Sequence, residues 1–208
     1  NGDAYLEVAA QIKKLAVFLS KMATDFRLQG SGPRAGLNEL YIPAVQPGSS
    51  IMPGKINPVI PELINQIAYQ VIGNDLSITM AVEGGELDLN VWEPVIIKAL
   101  FESCGLLTKA IPILIDKCLI DLAPNVEVCR RYAEQSTALA TVISTLFGYK
   151  IGSQVAIQAF EQNLSVKEVA IAEKILTEQQ ADYLLDPLTM TDPAASSAAI
   201  KRYHQESK

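Results

Sequence analysis

The sequence predicts an all-α protein, with long helices that form part of a helical bundle followed by a small helical C-terminal domain. Three observations support this fold class. Apolar residues recur with a helical period over three long segments, and no segment shows the alternation of a half-buried strand. Two capping boxes begin shorter helices nearer the C-terminal end.

The first predicted helix covers residues 4–28, because its apolar positions follow the spacing of an amphipathic helix. These positions are Ile12, Leu15, Ala16, Leu19, Met22, Ala23 and Phe26. The glycines and the proline that follow, Gly30, Gly32 and Pro33, should end the helix.

A long segment without periodicity, residues 31–57, follows this helix. It is rich in glycine and proline and exceeds the usual length of a connection in a compact domain. Loops of this length are usually functional or disordered. The segment is therefore the first place to look for a site.

Two further long helices are predicted after the loop. Asn57 is a favoured N-cap and Pro58 a favoured first residue, so the second helix should cover residues 59–82. Two consecutive glycines then separate it from a third helix over residues 87–122. Prolines at two positions should bend this third helix: Pro94 and Pro112.

The long apolar helices end before residues 123–125, and shorter predicted helices with ordinary polar surfaces follow. Two of these helices start with the capping boxes, Ser165 with Glu168 and Thr177 with Gln180. We therefore expect one domain over residues 1–124 and a second over residues 125–208.

Composition narrows the possible functions. A content of 49% hydrophobic and 19% charged residues argues against disorder, and helices that are apolar around most of their circumference predict a homo-oligomer. A net charge of −6 without a cluster of Lys or Arg argues against nucleic acid and anionic membranes as partners. Polar residues interrupt the apolar runs before they reach membrane-spanning length, so we expect a soluble, cytoplasmic protein.

The cysteine and histidine content argues against a disulfide framework and a zinc site. Cys104, Cys118 and Cys129 show no C-x-x-C spacing and are expected to be buried, and the single histidine, His204, lies near the C-terminal end. The first residue is not methionine and a helical pattern starts almost at once. We therefore expect further sequence upstream of this chain.

The strongest chemical signal is the stretch PGSSIMPGKINP at residues 47–58. A serine hydroxyl is a poor base at neutral pH, so its oxyanion must be stabilised, and no histidine is near to assist. Backbone N–H groups at Ser50, Ile51 and Met52 can provide this stabilisation around Ser49. The loop would then activate its own serine.

The same stretch and the start of the next helix contain groups that suit an anionic substrate. Lys55 supplies a positive charge and Asn57 an amide, and Glu62 can orient a base contributed from elsewhere. Each residue type also has an ordinary role, since serines beside glycine are commonly turn residues and an asparagine before proline commonly caps a helix. The combination of residues, not any single one, favours a site.

The pattern G-S-S-x-x-P-x-K-x-N in this loop resembles the signature loop of the aspartase/fumarase superfamily and matches it without departure. Three other stretches resemble the same superfamily, namely SGPRAGLNEL, QVIGNDLSITMA and LDLNVWEPVI. Class II fumarases carry Phe-Glu at the place of Leu87-Asp88 and a basic residue near Glu93. The chain therefore resembles the ammonia-lyase branch more closely.

The resemblance implies a reaction, the reversible deamination of L-aspartate to fumarate and ammonia without a cofactor. It implies that Ser49 is the base that removes the C3 proton and that backbone amides stabilise the oxyanion of this serine. Those amides belong to Ser50, Ile51 and Met52. The remaining implied roles are substrate binding through a carboxylate by Lys55 and Asn57, and orientation of a histidine outside this chain by Glu62.

The resemblance also implies an architecture, in which the two predicted domains are the later part of a central helical bundle and a small C-terminal domain. Superfamily members are homotetramers whose active sites combine segments of three subunits. Signature segments with threonine, serine and histidine contacts are not in this chain, so we expect the chain alone to be inactive. Two alternatives stay open: a class II fumarate hydratase or another superfamily lyase, and a non-catalytic helical oligomerisation piece.

Overall fold

The computed structural model describes residues 2–206 and confirms the all-α class. The chain divides into two compact units, the first ending at Asn125 and the second beginning at Val126. Within the described residues, no helix combines the length and hydrophobicity that are needed to cross a membrane.

Three long helices build the first unit: α1 (Asp3–Gln29), α2 (Val59–Glu83) and α3 (Glu93–Leu114). Consecutive helices run antiparallel, so that Ala9 near the start of α1 shares an apolar cluster with Ile78 near the end of α2. A second, larger cluster fills the other end of the unit. It contains Ala16, Leu19, Ala23, Ile64, Ala68, Val71, Leu107, Ala110, Leu114 and Cys118.

A polar network joins α2 to α3 inside the first unit. Asn74 is buried, and its Nδ2 donates to the Ser103 hydroxyl and to a Glu102 carboxylate oxygen, both at 3.1 Å. Gln70 Nε2 donates to the side-chain oxygen Oδ1 of Asn74 at 3.1 Å. Because unpaired polar atoms are costly inside a protein, this network favours a single register between the two helices.

The third helix starts later than predicted, at Glu93 instead of residue 87. The intervening residues form a tight turn in which Glu86 and Leu89 exchange backbone hydrogen bonds of 2.9 and 3.0 Å. Leu87 lies inside this turn with a φ of 49°, a left-handed conformation that no helix contains. Local turn geometry therefore replaces the first turn of the predicted helix.

The two prolines predicted to bend the third helix have different places in it. Pro94 is the second residue of α3, where a missing N–H costs nothing, so the predicted bend at this position is wrong. Pro112 lies inside α3, which ends two residues later in a π-helical turn (Ile115–Leu119). The predicted helical limit of residue 122 is therefore also too far along the chain.

A short antiparallel pair of strands closes the first unit. β1 (Leu40–Tyr41) lies in the long loop after α1, and β2 (Ala123–Pro124) follows α3. Leu40 faces Pro124, and the Asn125 N–H donates to the Glu39 carbonyl oxygen at 2.8 Å. The first half of the loop is thereby attached to the end of the unit.

The second unit consists of short helices. They are α4 (Val126–Glu134), a 3₁₀ turn (Thr137–Leu139), α5 (Ala140–Phe147), α6 (Tyr149–Gln162), α7 (Val166–Ala172), α8 (Glu178–Leu184), α9 (Pro187–Thr191) and α10 (Pro193–Glu206). Both predicted capping boxes are confirmed, at the starts of α7 and α8. The core residues of the unit include Ile143, Val155, Val169 and Leu184.

The three cysteines differ in environment. Cys118 is buried, and burial raises the pKa of its thiol. Cys129 is half-buried and Cys104 is exposed, so the prediction that all three are buried is wrong for these two. Cys104 lies on α3, next to the buried Ser103.

Candidate functional site

Ser49 lies half-buried in the second half of the long loop. Its side-chain oxygen accepts hydrogen bonds from the backbone N–H groups of Ile51 and Met52, both at 3.1 Å. Two amide dipoles therefore point at one hydroxyl oxygen. Preorganised N–H donors of this kind stabilise a negative charge on the oxygen that they face.

The base of this turn is closed by two hydrogen bonds, which we name the loop clasp. The Gly48 N–H donates to the Lys55 carbonyl oxygen at 2.8 Å, and Asn57 Nδ2 donates to the Gly48 carbonyl oxygen at 3.2 Å. The loop clasp brings the two ends of the turn together and leaves Ser49 directly beside the closure.

Asn57 was predicted to cap the second helix, and that prediction is wrong. The residue preceding α2 is Pro58, and no side chain caps the helix start. Asn57 Nδ2 instead donates to the Gly48 carbonyl oxygen of the loop. The Asn57 side chain thus belongs to the loop and not to the helix.

The other predicted site residues lie around this turn. Ser50 and Lys55 are exposed, and Glu62 is half-buried in the first turn of α2. Ile51 and Met52 are also exposed, at 86% and 51%, although their amides face Ser49. The serine, its two amide donors and the lysine therefore share one short turn. The glutamate lies in the first turn of the helix that follows, α2.

Sequence reasoning missed the loop clasp and the strand pair that anchors the first half of the loop. Both depend on contacts between backbone groups, which leave little trace in residue types. The glycine at position 48 was the one sign of the loop clasp in the sequence. The structure shows why a glycine is needed there, since a Cβ atom at this position would lie 2.5 Å from the Lys55 carbonyl oxygen. Among residues 2–206, no group of three or more His, Cys, Asp or Glu side chains is arranged to hold a metal ion.

Two family models match the chain. The model described as lyase matches residues 1–73, which include the signature loop, and the model described as fumarase C C-terminus matches residues 139–192. The two matches lie in the first and the second unit respectively.

Curated relatives extend the similarity over nearly the whole chain. It is 46% identical to aspartate ammonia-lyase of Helicobacter pylori over 92% of its length, 45% identical to that of Bacillus subtilis over 96%, and 44% identical to that of Escherichia coli over 99%. The chain spans only 41% to 42% of the length of these relatives.

Solved structures similar to this chain also include lyases and fumarases. A fumarate lyase:delta crystallin of Brucella melitensis matches with a TM-score of 0.86 and 48% identity, covering 91% of this chain and 41% of that one. The class II fumarase of Schistosoma mansoni matches with a TM-score of 0.86 and 36% identity, covering 92% and 40%. From the signature loop, the two family models and these relatives, we conclude that the chain belongs to the aspartase/fumarase superfamily.

Proposed function

We propose that this chain contributes the base-bearing loop of an ammonia-lyase that converts L-aspartate to fumarate and ammonia. The observation that carries the proposal is the pair of backbone amides on the Ser49 side-chain oxygen. The relatives named aspartate ammonia-lyase support the choice of substrate.

In the proposed reaction, Ser49 acts as an alkoxide. It takes the proton from C3 of L-aspartate, and the electrons of the C–H bond delocalise onto the adjacent carboxylate. These electrons then form the double bond between C2 and C3 as the C2–N bond breaks, and ammonia leaves with the electrons of that bond. The amides of Ile51 and Met52 make the alkoxide accessible near neutral pH, because they are already oriented before substrate arrives.

Substrate binding is assigned to the groups that follow Ser49 in the loop. Lys55 places a compact positive charge in the same turn, and the Asn57 amide retains one N–H beyond the one it donates to Gly48. Together they suit a carboxylate that gains negative charge as the C3 proton leaves. Glu62 is proposed to orient a histidine outside this chain.

The chain is proposed to depend on segments that it does not contain. Because it spans about two-fifths of its curated relatives, the remaining substrate contacts come from elsewhere in the complete protein or from neighbouring subunits. We propose a homotetramer for the complete enzyme and expect no turnover from the 208-residue chain alone.

A second candidate is the hydration of fumarate to malate. It is favoured by the match to a class II fumarase over 92% of the chain. Its reverse, the elimination of water from malate, begins like the proposed deamination with removal of a C3 proton. The signature loop serves either reaction, so the leaving group must be identified by residues outside it. A third candidate, an oligomerisation piece without catalysis, rests on the exposed apolar helix faces.

The deciding experiment uses the protein as its gene encodes it. Fumarate formation is followed by ultraviolet absorbance with L-aspartate and, separately, with L-malate. Turnover of aspartate alone supports the proposal, and turnover of malate alone supports the second candidate. If neither substrate is turned over, the third candidate, an oligomerisation piece without catalysis, is supported. The 208-residue chain is assayed in parallel, and robust turnover by it would contradict the proposed need for further segments.

A further inference from the structure

We propose that Gly48 and Asn57 are positioning residues, which hold the amides of Ile51 and Met52 on Ser49 by keeping the loop clasp closed. The role in catalysis rests on the function proposed above, whereas the role in loop geometry does not. Gly48 precedes Ser49 in the chain, so any displacement of its carbonyl group moves the serine directly.

Gly48 is required because two backbone segments approach closely. Its N–H and its carbonyl group both take part in the loop clasp, and a Cβ atom would lie 2.5 Å from the Lys55 carbonyl oxygen and 2.8 Å from the Lys55 carbonyl carbon. Real Cβ atoms do not approach backbone atoms so closely, so alanine at this position must push the two sides of the turn apart. The requirement is one of space.

Asn57 completes the closure from the other side. Its side chain is half-buried, whereas its neighbours Lys55 and Ile56 are exposed. One of its two N–H groups is used on the Gly48 carbonyl oxygen, which leaves the other for a substrate carboxylate. A single amide would then fix the distance between the bound carboxylate and the base.

Trypsin offers a direct measurement of the loop clasp. Lys55 is the only lysine or arginine between Arg34 and Lys98, so cleavage after it gives identifiable products. The carbonyl group of the Lys55–Ile56 bond is the acceptor of the Gly48 N–H. A protease must bind this carbonyl oxygen itself, and cleavage therefore requires the loop clasp to open.

We would compare Gly48→Ala, Asn57→Ala and the double variant with Gln46→Ala, an exposed neighbour outside the loop clasp. Asn57→Ala loses one hydrogen bond of ordinary strength and should raise the cleavage rate about fivefold, and Gly48→Ala, whose Cβ atom pushes the two sides of the turn apart, should raise it at least about fivefold. The double variant should exceed the faster single variant by less than about twofold, because both changes open the same closure. Helical circular dichroism should match the unsubstituted chain, which separates loop opening from unfolding.

Kinetics of the gene-encoded protein then test the consequence for catalysis. Gly48→Ala removes no group that can touch substrate, so kcat should fall at least about tenfold while KM changes less than about threefold. Cleavage rates equal to that of Gln46→Ala, or an unchanged kcat in Gly48→Ala, would overturn the inference. If the unsubstituted protein turns over neither substrate, the proposed function fails, and cleavage alone still decides whether the loop clasp exists.

Discussion

Arg27 and Asn65 lie in different helices and are joined by a hydrogen bond of 3.1 Å from Arg27 Nη1 to Asn65 Oδ1. Asn65 is 3% exposed, and its Nδ2 contacts the Ser20 carbonyl and hydroxyl oxygens at 2.9 Å and the Thr24 hydroxyl at 3.1 Å. One buried side chain therefore connects the last turns of α1 with the second turn of α2. These are the two helices between which the long loop runs.

The first prediction concerns this connection. Asn65→Ala should lower the free energy of unfolding of the first unit by about 2 kcal/mol, because it removes several hydrogen bonds made by a buried side chain. Urea denaturation followed by circular dichroism measures the change. Gln66→Ala, at the exposed neighbouring position, is the control and should shift the free energy by less than about 0.5 kcal/mol.

The second prediction concerns the base. In the gene-encoded protein, Ser49→Ala should lower kcat by about a thousandfold or more with little change in KM, since a base acts in the transition state and adds little to ground-state binding. Ser50→Ala should have a milder effect, because its side chain is exposed and its proposed contribution is a backbone amide. Near-normal turnover by Ser49→Ala would remove the serine from the mechanism.

The third prediction concerns the positive charge. Lys55→Ala should raise KM and lower kcat, because the lysine is proposed to bind a carboxylate that gains charge during the reaction. Lys55→Arg should restore little activity, since a planar guanidinium differs in shape from an ammonium group. Steady-state kinetics against aspartate decide this, with Lys150→Ala, an exposed lysine of the second unit, as the control. Unchanged constants in Lys55→Ala would make the residue an ordinary surface lysine.

The fourth prediction concerns self-association. Large apolar side chains on all three long helices face solvent in the isolated chain, among them Phe18 at 66%, Leu76 at 62% and Phe101 at 73%. Because exposed apolar surface of this extent is unfavourable in water, the chain should form oligomers in solution. Sedimentation velocity should show species larger than a monomer, and Phe101→Glu should shift them towards the monomer. A monodisperse monomer at micromolar concentration would contradict the proposed assembly.

The fifth prediction concerns the capping box of α7. Hydrogen bonds from the Ser165 backbone and hydroxyl group hold the pKa of Glu168 below its ordinary value of 4.5. A carboxylate with a lowered folded pKa stabilises the fold above the unfolded pKa, and this stabilisation is lost as the pH falls through the folded pKa. The contribution of Glu168 should therefore be complete at neutral pH and be lost in acid, as the pH falls below 4.5 and through the lowered folded pKa.

Hydrogen exchange of the α7 amides measures this effect. At neutral pH, Glu168→Gln should reduce their protection relative to the unsubstituted chain, and the difference should vanish in acid. Ser165→Ala should cost about 1 kcal/mol at neutral pH, the usual value for loss of an N-cap side chain. Glu161→Gln, on the exposed surface of α6, is the matched control. A difference between Glu168→Gln and the unsubstituted chain that persists in acid would contradict the assignment.

Helical periodicity predicted the first two helices to within a residue or so, because their buried positions repeat without interruption. The late start of α3 was not predictable, since nothing in a leucine indicates a left-handed φ at Leu87. The N-cap role given to Asn57 was wrong, and its side-chain amide binds the Gly48 carbonyl oxygen of the loop instead. Residue types thus indicated candidates for chemistry, and contacts between backbone groups, which residue types do not encode, determine how those candidates are held.

Leu40 pairs with Pro124, so the first half of the loop can be anchored only after the chain has been synthesised as far as residue 124. A ribosome adds roughly 5 to 20 residues per second, and Ser49 leaves it several seconds before β2 is made. During that interval α1 and α2 can already pack, while the loop between them has no strand to pair with. The first half of the loop, which leads to the proposed base, should therefore be the last part of the first unit to be anchored in a nascent chain, and the one most open to a protease or chaperone until then.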